Sequence, residues 1–588
     1  MSFQHTRASL GLLLSGLVSG ILLPSAGHAQ TTDSARATRI DPMTVTATRV
    51  AKSAFATPTA ITVVDSAALR RSAANNPVDL FRGLPGLDVT GVGPSQVFPV
   101  IRGQRGQRIL LLEDGIRMNN SRRQQDFGEL PALIDVNGLE RIEIVRGPAS
   151  VLYGTDAIGG VVNMITSGPP VGPGNALHGL FGYRYGSADA QARPEGSITG
   201  RAGRFRFGAG ATYRESHAYD APAGDFGSLH LDQGVRVHDT GVEDQNDRLQ
   251  AGVTLSEHDD ILIRAERYEA RNAGFGFVAA GDYGRPDDPF IQILYPHQRV
   301  DRVSARYQAR AVHFPLADKF ELTGYSQDNE RNLSLNIFIP FGPGTPPGAG
   351  VAVNSRNFTD LRTYGFRAEA MKILGGAHTL TYGLDFFRDK NRNTDVNSST
   401  VVGFGPPQTQ IDSSPQVPNA TFRSAGAFVQ GDFALTPRLS LILGTRYQDV
   451  KAATQTTPRL SDPLVESIDR TVVGTANVLY RLTSSLNIIG TVGRGFRSPN
   501  LVERFFQGPT PEGSGFQSRN PELKPETSLN VEMGLKYRTP WLYLEGFAFR
   551  NTIHDGIRIA ATGDSVGPFP EFQNVNIDKL RFTGFEML

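Results

Sequence analysis

A polar run over residues 119–126 holds the side chains best suited to binding a small ligand. It places two arginines among amides: Asn119, Arg122, Arg123, Gln124 and Gln125. A guanidinium group donates several hydrogen bonds in one plane, so the arginines suit the carboxylate or catecholate oxygens of an anion. Plain polar charge is the alternative interpretation. No catalytic triad and no nucleotide-binding glycine loop stands out in the chain, so nothing in it predicts an enzyme.

Composition narrows the class of protein that carries this run. The chain has 588 residues, too many for one ordinary core, and its net charge of +1 gives no sign of a nucleic-acid partner. It has no cysteine, which excludes a disulfide scaffold, a Cys-ligated metal site and a lipoprotein anchor. Hydrophobic residues make up 39% of the chain and glycines number 64. This balance fits a membrane β-barrel, although a large soluble β-sandwich or propeller has a similar composition.

The first residues have the pattern of a secretory signal. An uncharged apolar stretch at 10–23 precedes small residues at 27–29. The stretch is about 14 residues long, whereas a membrane anchor helix needs roughly 20. We therefore predict a signal peptide over 1–29 and an exported protein.

Two different patterns follow the signal. Residues 49–167 alternate short apolar strands with turns and a helical stretch, which predicts a compact α/β unit after a leader at 30–48. Residues 168–588 alternate apolar and polar positions in successive hairpins. Short turns between the hairpins alternate with long polar stretches at 215–247, 270–298, 328–358, 390–421 and 503–526. This alternation favours an outer-membrane barrel with short periplasmic turns and long outer loops over a sandwich.

Four pieces of the α/β unit resemble the plug of TonB-dependent receptors. They are LPGLDV at 84–89, IRG at 101–103, LLEDGIR at 111–117 and LERIEIVRGPASVLYGTDAIGGVVNMIT at 139–166. The resemblance extends over essentially the whole chain after residue 40. It implies an all-β transmembrane barrel of about 22 strands in the outer membrane, with the N-terminal α/β plug domain inside its lumen. It also implies transport without a cofactor of the protein's own.

An extended segment before the plug is similar to the TonB box of this family. The resemblance implies that the segment contacts TonB, the periplasmic protein that carries energy from the inner-membrane complex, through Asp41, Met43, Thr44, Val45, Thr46 and Ala47. The β-branched residues suit addition as a strand to the edge of a partner's sheet, in which backbone hydrogen bonds supply the grip. An ordinary linker is the alternative interpretation.

Charged residues of the longest plug motif alternate along one predicted strand. They are Glu140, Arg141, Glu143 and Arg146. We predict that they form a buried or half-buried ion network against the barrel wall, because a polar interface can be released without exposing a large apolar core. Ordinary solvated charges at a strand edge are the alternative.

The choice between haem and a ferric siderophore as the ligand depends on histidines that the sequence lacks. GFRSPNLVE at 495–503 and NPELKPE at 520–526 look like motifs that flank one outer loop in iron-complex and haem receptors, and haem receptors carry a histidine between them. Residues 500–519 contain no histidine, and neither does 29–177. We therefore expect a ferric-siderophore-type iron chelate, held by outer loops of barrel and plug that include Gln96, Phe98 and the 119–125 residues named above. Haem or haemoglobin, cobalamin, copper and oligosaccharides remain open.

Residues 582–586 are expected to begin a strand, which suggests that the last strands of the barrel lie beyond Leu588.

Three other functions are alternatives to active transport. A passive channel would lack both the plug and the TonB box. A signal-transducing receptor would carry an extra periplasmic domain, for which 30–40 leave no room. The long loops also suit adhesion or phage docking as a secondary role.

Overall fold

The computed structural model describes residues 44–45, 52–93, 95–122, 128–227, 229–283, 289–312, 314–342, 344–510, 515–567 and 569–588. The predicted signal peptide and most of the predicted leader lie outside the described residues. So do several predicted site residues, namely Asp41, Met43, Thr46, Ala47, Arg123, Gln124 and Gln125.

The N-terminal unit is built around a five-stranded mixed sheet. Its strands and α-helices are β1 (Thr44–Val45), β2 (Lys52–Ser53), β3 (Ile61–Asp65), α1 (Ser66–Ser72), β4 (Leu87–Gly93), β5 (Gln96–Ile101), β6 (Ile109–Glu113), β7 (Ile116–Arg117), β8 (Leu139–Arg146), α2 (Ser150–Tyr153) and β9 (Gly160–Thr166). Short 3-10 helices are Ala54–Ala56, Pro77–Phe81, Gly106–Arg108, Leu130–Leu133 and Val136–Gly138. The sheet order is β3-β8-β9-β6-β7, with β6 parallel to β9 and β8 antiparallel to both neighbours.

Apolar residues on the two central strands hold this sheet together. Ile144 and the opposing Val162 are buried on one face, and Val145 and the opposing Val161 are buried on the other, so the two strands are covered on both sides. The stretch with helical spacing forms a 3-10 helix instead of an α-helix, beginning at the Asn76 cap, which is paired with Asp79 in a capping box. The compact α/β unit is present as predicted.

The second unit is a nineteen-stranded sheet that surrounds the first unit. Its strands and those of its loops are β10 (Ala176–Gly186), β11 (Gln191–Ala202), β12 (Phe205–Ser216), β13 (Asp220–Ala221), β14 (Gly224–Phe226), β15 (Leu229–Leu231), β16 (Val235–Arg236), β17 (Val242–Thr254), β18 (Asp259–Gly274), β19 (Phe290–Ala309), β20 (Lys319–Pro340), β21 (Gly350–Leu374), β22 (His378–Val402), β23 (Gln408–Asp412), β24 (Ala420–Thr436), β25 (Leu439–Thr454), β26 (Glu466–Arg481), β27 (Leu486–Arg497), α3 (Leu501–Phe505), β28 (Gly508–Pro509), β29 (Phe516–Ser518), β30 (Glu526–Arg538), β31 (Tyr543–Val566) and β32 (Phe569–Met587). A 3-10 helix at Ala280–Tyr283 lies in one loop.

The wall of this sheet is an antiparallel meander. Successive long strands pair with their chain neighbours from β10 to β32, with β22 pairing β24 and β27 pairing β30 across the short loop strands. Among the described residues no ladder joins β10 to β32. The wall has sixteen long strands where about 22 were predicted for the family type, because β23, β28 and β29 of the nineteen are short loop strands. The all-β barrel with an internal α/β plug is confirmed.

Side chains alternate between the inner and outer faces of the wall. On β22, Asp389, Asn391 and Asn393 are buried on the inner face, whereas Leu384 on the outer face is 55% exposed. Period-two alternation places every second residue on one face. The inner face is therefore polar and packs on the plug, and the outer face is apolar.

Two predicted details were wrong. Strands reach far into the segments predicted as long loops, because β20 and β21 together cover most of 328–358 and β22 extends to Val402. Polar side chains on both faces of a strand that projects beyond a lipid layer hide the alternation that marks a strand. Residues 582–586 lie near the end of β32 and do not begin a strand. Within the described residues, no helix has both the length and the apolar character to cross a membrane.

Candidate ligand vestibule and plug–barrel interface

A cavity of about 590 Å³ lies at the long-loop end of the barrel. We call it the outer vestibule. Its apolar walls come from strand ends and loops, including Ile337, Ile339, Val353, Phe505 and Phe516. Its charged side chains are Asp412, Arg459, Asp462 and Arg519. A volume within the roughly 300–1,000 Å³ of small-molecule pockets, apolar walls and a few charged groups are the usual features of such a site.

The two arginines of the outer vestibule differ in their partners. Arg519 contacts the Asp462 carboxylate, with 2.9 Å between Nη1 and Oδ2. The Arg459 side chain makes no hydrogen bond or ion pair with any residue that the structure describes, although its backbone oxygen accepts a bond from Ser414. A guanidinium that faces a cavity without a carboxylate partner attracts an anion.

The floor of the outer vestibule is formed by the segment that carries the GFRSPNLVE motif. Helix α3 begins at Asn500, whose side chain accepts from the Glu503 backbone N–H in a capping box. Glu503 in turn accepts from Arg497 at 2.8 Å. Phe505, at the end of α3, is buried and lines the cavity.

The second motif is joined to the segment of the first through two buried arginines. Arg497 binds the Glu526 carboxylate at 2.6 Å. Arg504 donates to the carbonyl oxygens of Pro521 and Leu523, each at 2.8 Å, and to Asp469 at 2.7 Å. The two motifs predicted to flank one loop therefore meet in space. The backbone N–H of Leu501 also donates to the carbonyl oxygen of Ser121 in the plug at 2.9 Å, which connects the vestibule floor to the 119–126 run.

Among the described residues, the outer vestibule is lined by the barrel alone, so its lining includes none of the four described ligand residues predicted on the plug, Gln96, Phe98, Asn119 and Arg122. Gln96 is half-buried, and Phe98 is buried with the Arg105 guanidinium 5.9 Å from its ring. The Asn119 amide bonds the backbone of Ile109 and Leu111. Their ligand-binding role stays a prediction, and Asn119 and Phe98 have little free surface for it.

Arg122 is buried at the contact between plug and barrel. It donates to Asn393 and Asn357, at 3.2 and 3.3 Å. Burial and the nearby guanidinium of Arg331 lower the pKa of Arg122, while Asp395 partly offsets both effects. The Nη1 atom of Arg122 is buried and has no hydrogen-bond partner among the described residues, but Arg122 does not line the outer vestibule.

Two plug arginines bind three carboxylates of the barrel wall. Arg102 contacts Glu532 at 2.6 Å and Glu586 at 2.8 Å, and Arg146 contacts Glu545 at 2.8 Å and Glu586 at 2.9 Å. All five side chains are at most 4% exposed. Burial disfavours the charged form of Arg102, but Glu532 and Glu586 outweigh it and hold its pKa above the ordinary value. We call these five residues the plug lock.

Other ion pairs join the plug to the wall around its circumference. They are Arg108–Glu526, Arg264–Asp114, Arg193–Asp135, Arg302–Glu113 and Arg331–Glu129. Burial raises the pKa of Asp135, but Arg193 and a hydrogen bond from Thr212 outweigh burial and leave that pKa below its ordinary value. Charge pairs therefore hold the plug on most sides, in addition to an apolar cluster in which Tyr268, Tyr295 and Leu333 of the wall pack with plug residues.

The predicted ion network is distributed differently from the prediction. Arg146 contacts the barrel residues Glu545 and Glu586 in the plug lock. Arg141 instead contacts Glu140 at 2.8 Å and Glu143 at 2.9 Å within the plug. Sequence reasoning did not single out Arg102, although its IRG motif was noted; its left-handed backbone, with φ +51°, marks it as a constrained position.

The start of the plug is fixed at the short-turn end of the barrel. Strand β1, which contains Thr44 and Val45 of the predicted TonB box, pairs antiparallel with β2. Lys52 on β2 forms an ion pair with Asp432. The Lys536 ammonium donates to the carbonyl oxygens of Ala54, Thr57 and Thr59, at 2.8 to 2.9 Å.

The part of the chain that the structure describes holds no group of three or more His, Cys, Asp or Glu side chains arranged to bind a metal ion. The described lining of the outer vestibule also contains no histidine. What the arrangement offers a ligand is therefore two guanidinium groups, two carboxylates and an apolar wall.

Comparison with known proteins identifies the architecture. The family described as "TonB dependent receptor-like, beta-barrel" matches residues 247–588, and the "TonB-dependent Receptor Plug Domain" matches residues 53–161. A vitamin B12 transporter BtuB of Photobacterium profundum is 24% identical over 93% of this chain and 75% of its own length. A hemin receptor of Yersinia pestis is 24% identical over 87% of this chain and 70% of its own length.

A solved structure shares the fold. P. aeruginosa FpvA bound to a heterologous pyoverdine superposes with a TM-score of 0.66 at 17% identity, covering 92% of this chain and 69% of that one. The barrel family matches more than half of the chain, and the plug family matches the sheet unit inside the lumen. The chain therefore belongs to the TonB-dependent receptors.

Proposed function

We propose that this receptor imports an anionic ferric chelate of siderophore type across the outer membrane, with energy delivered by TonB. The observation that carries the proposal is the outer vestibule, where the Arg459 guanidinium has no side-chain partner among the described residues and faces a cavity above a plug that fills the lumen. The cycle needs ligand binding, plug movement and release. It needs no covalent chemistry and no cofactor of the protein's own.

The outer surface of the barrel supports a membrane location. Outward-facing residues at mid-height are apolar, among them Leu249, Leu384, Val472 and Met533, each at least 55% exposed. An isolated soluble protein rarely exposes so continuous an apolar surface. The proposed partners are therefore outer-membrane lipid, TonB with its inner-membrane complex, and the iron chelate, with no nucleic acid.

Energy coupling is proposed to start at the predicted TonB box. A pull on β1 would pass through β2 to the segment 52–59, because these residues are continuous in the chain. Lys52–Asp432 and the three carbonyl contacts of Lys536 hold that segment against the barrel. These contacts are polar and can be exchanged for water, so the first step of plug movement exposes little apolar surface.

The choice of ligand is argued from side-chain chemistry. The named relatives include a B12 transporter, a hemin receptor and a receptor solved with pyoverdine, so similarity alone does not choose among them. Histidine is a common ligand of haem iron, and the described vestibule lining has none. Arginine is suited to carboxylate and catecholate oxygens. Both observations favour an iron chelate with anionic oxygen donors.

Uptake in a host that lacks its own iron receptors tests the proposal. Cells that express the protein receive radiolabelled ferric catecholate, ferric hydroxamate or haem, with and without deletion of residues 41–47. We expect uptake of one siderophore class and its loss on deletion. Uptake of haem without uptake of either ferric chelate, or uptake of none of the three, would refute the ligand class. Uptake that survives the deletion would refute coupling through the box.

A further inference from the structure

The outer face of the barrel changes from apolar to basic at a sharp level on β22. Outward residues from the short-turn end are Leu380, Tyr382, Leu384 and Phe386, followed by Arg388, Lys390 and Arg392. The apolar part extends about 20 Å along the strand, close to the height of a lipid-facing band. Arg388 thus marks the outer edge of that band.

The neighbouring strands place further basic residues at the same level. Arg388 lies directly opposite Arg423 of β24, and Arg423 lies opposite Lys451 of β25. Lys390 lies opposite Arg362 of β21. Like charges directly opposite in an antiparallel pair destabilise the sheet unless an anion lies between them. We call these six residues, Arg362, Arg388, Lys390, Arg392, Arg423 and Lys451, the basic band.

The protein itself neutralises only the margins of the basic band. Arg423 contacts Asp449 at 3.1 Å, Lys451 contacts Glu466 at 2.7 Å, and Arg362 lies 3.4 Å from Asp328.

The centre of the basic band is poor in carboxylates. Arg388 and Lys390 lie opposite none, whereas Arg392 lies opposite Asp360 of β21, which is 3.8 Å from Arg362. Arg388 reaches only the Tyr364 hydroxyl, at 3.5 Å, and within the described part of the chain Lys390 and Arg392 make no side-chain bond. Three adjacent cations on one strand are therefore available to an external anion.

The neighbouring strands β17 to β20, which precede β21 in the sheet, have a different balance of charge at the same level. On β18 and β19, Arg267 contacts Asp301 at 2.6 Å and Arg299 contacts Glu330 at 2.8 Å. Arg271 contacts Glu269 at 3.2 Å. Glu243 and Asp247 face outward on the adjoining strand β17. Every arginine there has a carboxylate, so the excess of positive charge belongs to the β21–β25 side and is not a general property of barrel height.

Immediately below the basic band, aromatic side chains provide a surface for acyl chains. Phe386 lies between Phe366 and Tyr364, at 6.0 and 6.3 Å between ring centroids. Leu384 and Tyr364 are exposed to the surroundings. A ligand that fits both parts carries several anionic groups on a polar head and hydrocarbon chains beneath it.

We propose that the basic band is a binding site for a membrane lipid with two or more phosphate groups in its head, held in the outer leaflet. The Arg388, Lys390 and Arg392 side chains bind the phosphates, and the Phe366–Phe386 surface packs on the acyl chains. Basic side chains lie directly beside apolar ones, because Arg388 and Phe386 are successive outward residues of β22. This arrangement favours a lipid with a phosphorylated head over free phosphate. The inference rests on the membrane orientation in the proposed function.

A binding assay with purified protein in neutral detergent tests this site. Micelles carry either diphosphoryl lipid A or phosphatidylethanolamine, and bound lipid is measured by titration. The test variant carries Arg388→Gln, Lys390→Gln and Arg392→Gln. The matched control removes three carboxylate-paired cations at the same height on the nearby strands β18 and β19, through Arg267→Gln, Arg271→Gln and Arg299→Gln. Heat-modifiable electrophoretic migration checks that each barrel is folded.

We expect the test variant to bind diphosphoryl lipid A roughly 100-fold more weakly, because each basic residue near an anionic lipid surface contributes about a fivefold factor. The control variant should bind within threefold of the wild type, and phosphatidylethanolamine should bind weakly to all. Equal binding by wild type and test variant, or an equal loss in the control, would overturn the site. The assay has no uptake step, so a failure of iron transport leaves its result unaffected, and a failed lipid site leaves transport untouched.

Discussion

Removal of one arginine from the plug lock is expected to loosen the plug by a predictable amount. Breaking a buried ion pair by deleting one partner costs about 3–5 kcal/mol, because a buried charge loses its compensation. Arg102→Met leaves Glu532 with the neutral Asn530 amide as its remaining side-chain partner at 2.6 Å. We therefore expect a cost near the upper end, about 5 kcal/mol.

Arg146→Met should cost less, although its distances are similar. Glu586 keeps Arg102, and Glu545 keeps the Tyr543 hydroxyl at 2.7 Å and the Lys536 ammonium at 3.4 Å. The loss is thus near the lower end, about 3 kcal/mol. The double variant should lose more than the sum of the two, since Glu586 then has neither guanidinium.

The free energy of unfolding of the plug is measured for each variant, to test whether Arg102→Met destabilises the plug more than Arg146→Met. The chain has no cysteine, so a single Arg71→Cys substitution on the exposed face of α1 accepts a fluorophore without side reactions. Urea unfolding of the labelled plug is followed while electrophoretic migration reports the barrel. Arg267→Met, in an exposed pair on the outer wall, serves as control and should change the free energy by less than about 0.5 kcal/mol. Changes below about 1 kcal/mol for both plug-lock variants, or a larger loss for Arg146→Met, would refute the reasoning.

Three further predictions concern other contacts. The pKa of Asp135 is lowered in the folded plug, so its stabilising contribution is complete above the ordinary carboxyl pKa of about 3.8 and is lost as the pH falls through the lower folded value. Asp135→Asn should therefore make the free energy of plug unfolding depend less on pH below about pH 4, as measured by the same urea assay. Lys536→Met should increase amide hydrogen exchange in 54–59, because three carbonyl oxygens lose their donor, and an unchanged exchange pattern would contradict that role. Arg459→Gln should weaken binding of the ferric chelate about tenfold, as expected for one charge-assisted hydrogen bond, and titration calorimetry that finds equal affinity would remove Arg459 from the site.

The fold was predictable because its signals are local. The alternation in Leu439–Thr454 marks a half-exposed strand, and the plug motif over 139–166 folds into β8, α2 and β9 as one continuous segment. The family and the barrel-plus-plug architecture followed from such segments. Strand ends were harder to predict, because 390–402 is polar on both faces and carries no apolar alternation.

The site was predicted only in part because it is assembled from distant segments. The outer vestibule combines Ile337, Arg459 and Arg519, which no spacing rule in the chain relates. In the plug lock, Arg146 was predicted, whereas its partners Glu545 and Glu586 lie on strands some 400 residues later. The register of a barrel decides which lumen-facing carboxylate meets which plug arginine, and the sequence alone does not fix that register.

The most direct test of the central claim separates ligand binding from energised uptake in the same cells. Val45→Pro removes a backbone donor from β1 and prevents it from adding to a partner's sheet, whereas Val45→Ala retains that donor. Cells with either variant are given the labelled ferric chelate, and surface binding and internalised iron are measured separately. The account predicts normal binding by both variants, with uptake abolished by Val45→Pro and retained by Val45→Ala. Uptake by Val45→Pro at the wild-type rate would contradict TonB-driven transport by this protein.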